Sequence, residues 1–313
     1  MFQFFPQIYK PVGRKPGLAN FPAVGRKSRL AEKGFAGYFR HSGSRGNPFF
    51  FDYVCKKTSA MKRILVTVLI ASTISAFGQE HSRVIMPDKS AAVSSPYRMS
   101  KNYGKRIAVF GGSLSVNREA YAAKRIWADL LGAEVVTFGV GGAGFSKEQG
   151  YSIQRQVDSA GVFDIYVLWA STNDFNGNRE CGTWQDYTVF DGYDPEKLST
   201  QCGGINYCIK TILEKNPRAE IYFFTSLRFF SRDSGGNPFS TETNATGRTF
   251  ADYVKGQKDC CLYYGIPVLN QFNLQGINRF NAHVFYLEDL LHMNEEGYRR
   301  IGAVQAAFLA NGF

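Results

Sequence analysis

The feature that most constrains this chain is a series of short, almost wholly apolar runs between residues 106 and 270. Each run is separated from the next by a stretch with helical spacing. Residues 106–110 read RIAVF, 134–138 EVVTF, 163–170 FDIYVLWA, 220–227 EIYFFTSL and 266–270 IPVLN. A half-exposed strand alternates apolar and polar residues, whereas a strand covered on both faces reads as a continuous apolar run. Between the runs, the spacing predicts helices over 118–132, around 147–158, over 205–216 and near 248–264, with a last amphipathic helix over 295–310. Buried strands interleaved with helices imply a parallel sheet covered by helices on both sides, a three-layer α/β/α domain. Two long polar segments, 175–204 and 229–247, interrupt the alternation. Each follows the carboxyl end of a predicted strand, the edge at which open α/β sheets bind ligands.

Upstream of the first run the chain has a different character. Residues 61–80 read MKRILVTVLIASTISAFGQE. Lys62 and Arg63 form a basic start, 64–77 an apolar stretch, and Ala76 and Gly78 stand at −3 and −1 of a cut before Gln79, the plan of a secretory signal peptide. This run of 14 residues falls short of the ~20 that span a bilayer as a helix, so no stable membrane span is expected after cleavage. Residues 1–60 are expected to be an upstream extension or leader outside the native fold. Residues 79–104, polar and with Pro87 and Pro96, read as a lead-in to a domain over 105–313. The expected address is the periplasm or the exterior.

The net charge of +11 suggests an anionic partner until it is located. Residues 1–60 hold 11 Lys/Arg against 2 Asp/Glu, whereas from Gln79 onward there are 24 of each. The excess lies outside the expected domain, which removes the argument for nucleic acid. Five cysteines follow Gln79: Cys181, Cys202, Cys208, Cys260 and Cys261. Their spacing does not suggest zinc, and no metal is expected. Export favours a disulfide among Cys181, Cys202 and Cys208; buried free thiols are the other reading.

Four segments could carry chemistry. In IAVFGGSLS, Ser113 follows a buried strand and can present its hydroxyl at the sheet edge or cap a helix. In TFGVGGAGFS, Gly139, Gly141 and Gly144 match G-x-G-x-x-G, with Asp164 20 residues beyond. A dinucleotide site is rejected, because the glycines follow the second strand rather than the first and Asp164 begins a strand rather than ending one. Export also separates the chain from that cofactor. The glycines remain suited to a tight turn whose N–H groups point into a site. In WASTNDF, Asn173 offers an amide donor or a polar cap. In LEDLLHMNEEGY, Asp289 stands three residues before His292, close enough for carboxylate and imidazole to meet. Beyond the leader only His81, His283 and His292 remain as bases.

Taken together and in this order, the four segments resemble the four blocks of the SGNH, or GDSL-like, hydrolase family. FGGSLS is similar to the GDS-type nucleophile block, FGVGGAG to the glycine block, STND to the G-x-N-D block, and DLLHMNEEGY to D-x-x-H followed by N-x-x-G-Y. The resemblance runs from about residue 105 to the C-terminus. Gly112 stands where the family usually has Asp, and Ser171 where it usually has Gly. The resemblance implies a flavodoxin-like sheet of order 2-1-3-4-5 and a serine esterase without a cofactor. It further implies a triad of Ser113, His292 and Asp289, and an oxyanion hole of the Ser113 and Gly142 N–H groups with the Asn173 side chain. A small-molecule or glycan ester is the expected substrate, with a short acyl group, acetyl above all. The polar segments carry Asn176, Asn178, Arg179, Asp186, Asp191, Arg232 and Asp233, and among them Trp184, Tyr187 and Tyr193 would either stack on sugar rings or pin the loop to the domain. A lipase acting on lipid esters, an inert glycan-binding protein of the same fold, and a nucleotide- or flavin-binding α/β protein are the competing readings.

Overall fold

The apolar runs become the strands of one sheet. The computed structural model describes residues 83–116, 123–148, 151–230 and 242–312. The expected extension, the signal segment, His81, Arg232 and Asp233 lie outside the described residues. In chain order the elements are β1 (Arg83–Ile85), α1 (Lys89–Val93), β2 (Arg106–Gly111), α2 (Ser113–Val116), α3 (Ala123–Leu131), β3 (Glu134–Thr137), α4 (Ile153–Ser159), β4 (Ile165–Trp169) and α5 (Asn173–Asn176). A 3-10 turn (Pro195–Ser199) then precedes α6 (Gln201–Lys215), β5 (Glu220–Phe224), α7 (Phe250–Tyr264), β6 (Val268–Leu269), α8 (Gln271–Leu274), α9 (Ala282–Phe285) and α10 (Glu295–Asn311).

The sheet order is β1-β3-β2-β4-β5-β6, with every neighbouring pair parallel except β1 against β3. Counting from β2, the parallel strands follow the expected 2-1-3-4-5 order. β1 is an addition. It extends the domain to Arg83, well before the expected start at Lys105. A three-residue, largely exposed edge strand carries no apolar run by which it could be read.

Strand side chains alternate between two cores, as a period of two requires. Ile107 and Val109 of β2, Ile165, Val167 and Trp169 of β4, and Tyr222 and Phe224 of β5 face the layer of α3 and α10. Ala108 and Phe110, Tyr166 and Leu168, and Ile221 and Phe223 face the layer of α4, α6 and α7. On the first side Trp127 meets Trp169 at 5.9 Å and Phe224 edge-on at 5.5 Å, and its indole N–H donates to Gln305 Oε1 at 3.2 Å. Full burial of each such side chain stabilises the fold by roughly 1.5–3 kcal/mol. The lead-in belongs to this packing too: Asn102 Nδ2 donates to the Tyr222 hydroxyl and to the Leu309 carbonyl.

Segment 175–204 does not arch over the sheet edge along its whole length. Beyond Glu180 it lies on α6 and α7. Asn206 Nδ2 of α6 donates to the carbonyls of Trp184 and Asp186, and Asp186 accepts from the hydroxyls of Thr183 and Thr200. All five described cysteines are free, buried thiols. The Sγ atoms of Cys181 and Cys202 both face the same point on Gly256, and Cys260 adjoins Cys202. Cys208, expected as a disulfide partner, is likewise a free thiol, buried in the core on α6. Burial pushes its thiol up, so these cysteines serve as small apolar core residues. Among the described residues no helix is long and apolar enough to cross a membrane.

Candidate active site

Because β2, β3 and β4 run parallel, the segments that leave them open onto one edge. Ser113 leaves β2, the glycine segment leaves β3, and Ser171–Asp174 leave β4. Ser113 is the first residue of α2, directly after the Gly111-Gly112 exit. Gln156 of α4 holds that exit, accepting from the Gly111 N–H at 2.9 Å and donating to its carbonyl at 3.0 Å. The neighbouring Ser115 is fully occupied otherwise: it is 1% exposed and donates to the Gly112 carbonyl at 2.7 Å. Of the two serines in GGSLS, only Ser113 is placed to react.

The histidine that meets Ser113 comes from the far end of the chain. His292 Nε2 lies 2.9 Å from Ser113 Oγ, and His292 Nδ1 lies 2.5 Å from Asp289 Oδ2. With the ring proton on Nδ1, the imidazole donates to Asp289 and accepts from the Ser113 hydroxyl, the tautomer these partners select. Asp289 Oδ1 accepts from the N–H groups of Leu291 and His292, both at 2.9 Å. This tight turn places Leu290 at φ 54°, a left-handed conformation rare for a branched side chain. It is closed by hydrogen bonds from Leu287 N–H to the His292 carbonyl and from Phe230 N–H to the Leu290 carbonyl. Burial pushes the Asp289 carboxyl up, but the imidazole and the two N–H donors outweigh it and hold the carboxyl below its ordinary range. His283, the other candidate base, sits exposed on α9.

The glycine segment is clamped by the residues that follow β4. Gly142 takes φ 80°, and its neighbour Ala143 is held through its carbonyl by Asn173 Nδ2 at 2.8 Å and by Ser171 Oγ at 2.7 Å. Next along, the Asp174 carboxylate accepts from the Phe145 N–H at 2.8 Å and the Ser146 N–H at 3.0 Å. A Cβ on Gly144 would stand 2.4 Å from that carboxylate, so only glycine permits the approach. The Ala143 carbonyl and the Asn173 amide thereby stand beside Gly112, the residue before Ser113. Among the described residues no group of three or more His, Cys, Asp or Glu side chains is placed to hold a metal ion.

The sequence of a known family follows the same course. A model of the GDSL-like lipase/acylhydrolase family matches residues 108–300, from β2 through the turn that holds His292. The chain belongs to the GDSL-like lipase/acylhydrolase family. It is therefore a hydrolase acting on esters. One solved structure, 26% identical, superposes with a TM-score of 0.58 over 66% of this chain and 96% of its own length. A Lactobacillus plantarum protein, 20% identical, does so with a TM-score of 0.57 over 67% and 99%. A "possible lipase" from Chitinophaga pinensis, 18% identical, gives 0.50 over 65% and 96%. The latter two likenesses concern the fold. No curated protein matches the chain.

Trp184 and Tyr187, expected to border the substrate, stand elsewhere in this GDSL-like hydrolase. Trp184 packs on Tyr263 of α7 and Phe190, at 5.2 and 5.1 Å. Tyr187 packs on Tyr207 of α6 and Tyr193, at 5.6 and 5.8 Å. These rings pin the long segment to the helices, the second of the two uses open to them. The supporting contacts of three residues, Gln156, Ser171 and Asp174, were not part of the sequence reading. Asp174 had a visible signal, an acid beside the Asn173 donor. Gln156 had none, because a glutamine within a helix reads as surface.

Asp174 also makes a test of the clamp. Burial pushes its carboxyl up to about 6, against the downward pull of the Phe145 and Ser146 N–H groups and of Arg179. A carboxyl raised in the folded state holds its proton more tightly there than in the unfolded chain. Its contribution to stability is full below the unfolded value and is lost as pH rises through the folded one. In denaturant titrations, the advantage of the wild type over Asp174→Asn should shrink between pH 4 and pH 7, by an amount on the order of 3 kcal/mol. A widening advantage over that range would mean that the two N–H donors, not burial, set the carboxyl's state.

Proposed function

We propose that this protein is a serine esterase that cleaves a short acyl group, acetyl above all, from a polar alcohol such as a sugar. The observation that carries the reading is the unbroken line of hydrogen bonds from Asp289 through His292 to Ser113 at the sheet edge. A serine hydroxyl is a poor nucleophile until a base takes its proton. As Ser113 Oγ bonds to the ester carbonyl carbon, its proton passes to His292 Nε2, and Asp289 steadies the imidazolium. The carbonyl oxygen becomes an oxyanion facing the N–H groups of Ser113 and Gly142 and the side-chain amide of Asn173. When the tetrahedral species collapses, the C–O bond to the alcohol breaks and His292 returns its proton to the departing oxygen. Water then repeats the sequence on the acyl-serine, releasing the acid and restoring Ser113.

A polar alcohol is supported by the openness of the site on the side of the base. The side chains of His292 and Asp289 are 36% and 47% exposed, and Gly141 and Gly142 are exposed. An alcohol leaving there enters water. Export by way of the segment 61–78 belongs to the same reading, since acylated glycans are abundant outside the cytoplasm; a mature N-terminus at Gln79 in the native protein would support it. A second reading has its own observation. Phe280, Val284 and Leu287, on the segment leading to Asp289, are 80, 37 and 50% exposed, an apolar rim suited to a lipid ester.

The comparison that decides is turnover of acetylated oligosaccharides against long-chain acylglycerols by the same preparation. We expect kcat/KM for the acetylated substrate to exceed that for the lipid by roughly tenfold or more, since each mismatched methylene is worth about 1–3 kcal/mol. Faster turnover of the acylglycerol would transfer the proposal to the lipid reading. Failure to hydrolyse any ester, with a glycan retained through purification, would leave a binding protein.

A further inference from the structure

The two residues at which this chain departs from the family pattern, Gly112 and Ser171, are 59 positions apart and meet at the site. A Cβ built on Gly112 would stand 2.8 Å from Ser171 Cβ, 2.8 Å from Asn173 Nδ2 and 2.9 Å from the Ala143 carbonyl oxygen. Real Cβ atoms do not approach neighbours so closely. The space beside Gly112 is therefore already filled, by the Ser171 side chain, which reaches it from the end of β4, together with the Asn173 amide and the Ala143 carbonyl. Ser171 is 9% exposed and its hydroxyl has one direction to point, donating to the Ala143 carbonyl at 2.7 Å. The same oxygen accepts from the Asn173 N–H at 3.3 Å, which orients the donor residue itself.

Ser171 is held in turn from behind. Its carbonyl accepts from Ser226 Oγ at 2.7 Å, and Ser226 accepts from Gln257 Nε2 at 2.9 Å, both within the buried interior. One hydroxyl thus ties the Gly142 turn, through the Ala143 carbonyl, to the Asn173 backbone.

We propose that Ser171 is a positioning residue of the oxyanion hole, and that its side chain and one at position 112 are alternative occupants of a single space. The inference rests on the serine-esterase reading above. Ser171 touches neither the ester nor Ser113. It acts by fixing where the Gly142 N–H and the Asn173 amide stand when negative charge develops, and preorganisation of such donors matters most in the transition state. Its loss should therefore appear in kcat and leave ground-state binding alone.

The test uses the full chain and a short aryl ester. Ser171→Ala should lower kcat about tenfold with KM within about twofold, a fraction of the roughly 100-fold or greater loss seen when an oxyanion donor is deleted outright. The acid limb of its pH profile should stay in place, because the Ser113–His292–Asp289 contacts are untouched. Inhibition by an alkylboronic acid, which becomes tetrahedral on the serine, should weaken by the same factor as kcat/KM. A kcat equal to the wild type's, or a loss confined to KM, would overturn the role. For the shared space, Gly112→Ala should be damaging alone and should lose less, or nothing further, when combined with Ser171→Gly. Independent sites would instead multiply their losses, and that result would also overturn the proposal. Thermal melts and labelling by a fluorophosphonate check that each variant is folded. A wild type that neither hydrolyses the ester nor takes the label would sink the esterase reading itself, an outcome separate from normal turnover in the Ser171 variants.

Discussion

Ser113→Ala and His292→Ala should each lower kcat by a factor on the order of a million, and the double variant should lose little more than either alone. The reason is that nucleophile and base form one device. Without Ser113 there is no atom to bond the carbonyl, and without His292 the hydroxyl keeps its proton. The 2.9 Å contact between Ser113 Oγ and His292 Nε2 gives that proton its route. A fluorophosphonate should label the wild type at Ser113 and leave Ser113→Ala unlabelled. Labelling at Ser115 would contradict the packing of that residue, whose hydroxyl is committed to the Gly112 carbonyl. His283→Ala is the control: it lies exposed on α9, and its replacement should leave kcat within about twofold, as is usual for surface positions. Multiplicative losses in the double variant would mean that Ser113 and His292 do not act in the same step.

The second large effect concerns Asp289, and here a conservative substitution should be severe. Asp289→Asn should lower kcat by about 10⁴-fold while the protein still folds, comparable to loss of the corresponding acid in other triads. The geometry supplies the reason. One carboxylate oxygen of Asp289 accepts from two backbone N–H groups, and the other accepts from the imidazole. An asparagine has one acceptor oxygen, and the two N–H groups retain it. Its NH₂ then faces His292 Nδ1 and forces that nitrogen to accept. The ring proton moves to Nε2, which can no longer take the proton from Ser113. The loss should be nearly all in kcat, and thermal stability should fall only modestly because the Asp289 side chain is 47% exposed. Activity within tenfold of the wild type would show that the imidazole keeps its working tautomer without the carboxylate. The wild type itself should lose activity on acidification, since a protonated imidazole cannot act as base.

Much of this could be read in the sequence because the signals were local. A parallel strand buried on both faces leaves a continuous apolar run, so β2 to β5 were legible from residues 106–110, 134–138, 163–170 and 220–227 alone. The blocks that leave these strands were legible as well, since parallel strands must release them at one edge. Asp289 and His292, three residues apart, carry their own contact in their spacing.

What lay beyond the sequence was every choice made by residues distant along the chain. In GGSLS only the resemblance to a family block favours Ser113 over Ser115; the physical reason is His292, 179 residues away, which meets Ser113 while the Ser115 hydroxyl is committed to the Gly112 carbonyl. The polar 175–204 segment looked like a rim for substrate because polarity and aromatic content do not encode direction. The direction is set by Asn206 and Tyr263 on helices that lie later in the chain, which draw Trp184 away from the triad. β1 was invisible because an exposed three-residue edge strand gains its identity from pairing with β3, not from its own composition. Gly112 and Ser171 looked like two unrelated departures from a family pattern. The sequence by itself determined which residue types stand at the end of each strand. Only the tertiary structure decided which of them share a space, because exclusion of one side chain by another is a property of distance and has no trace in either residue alone.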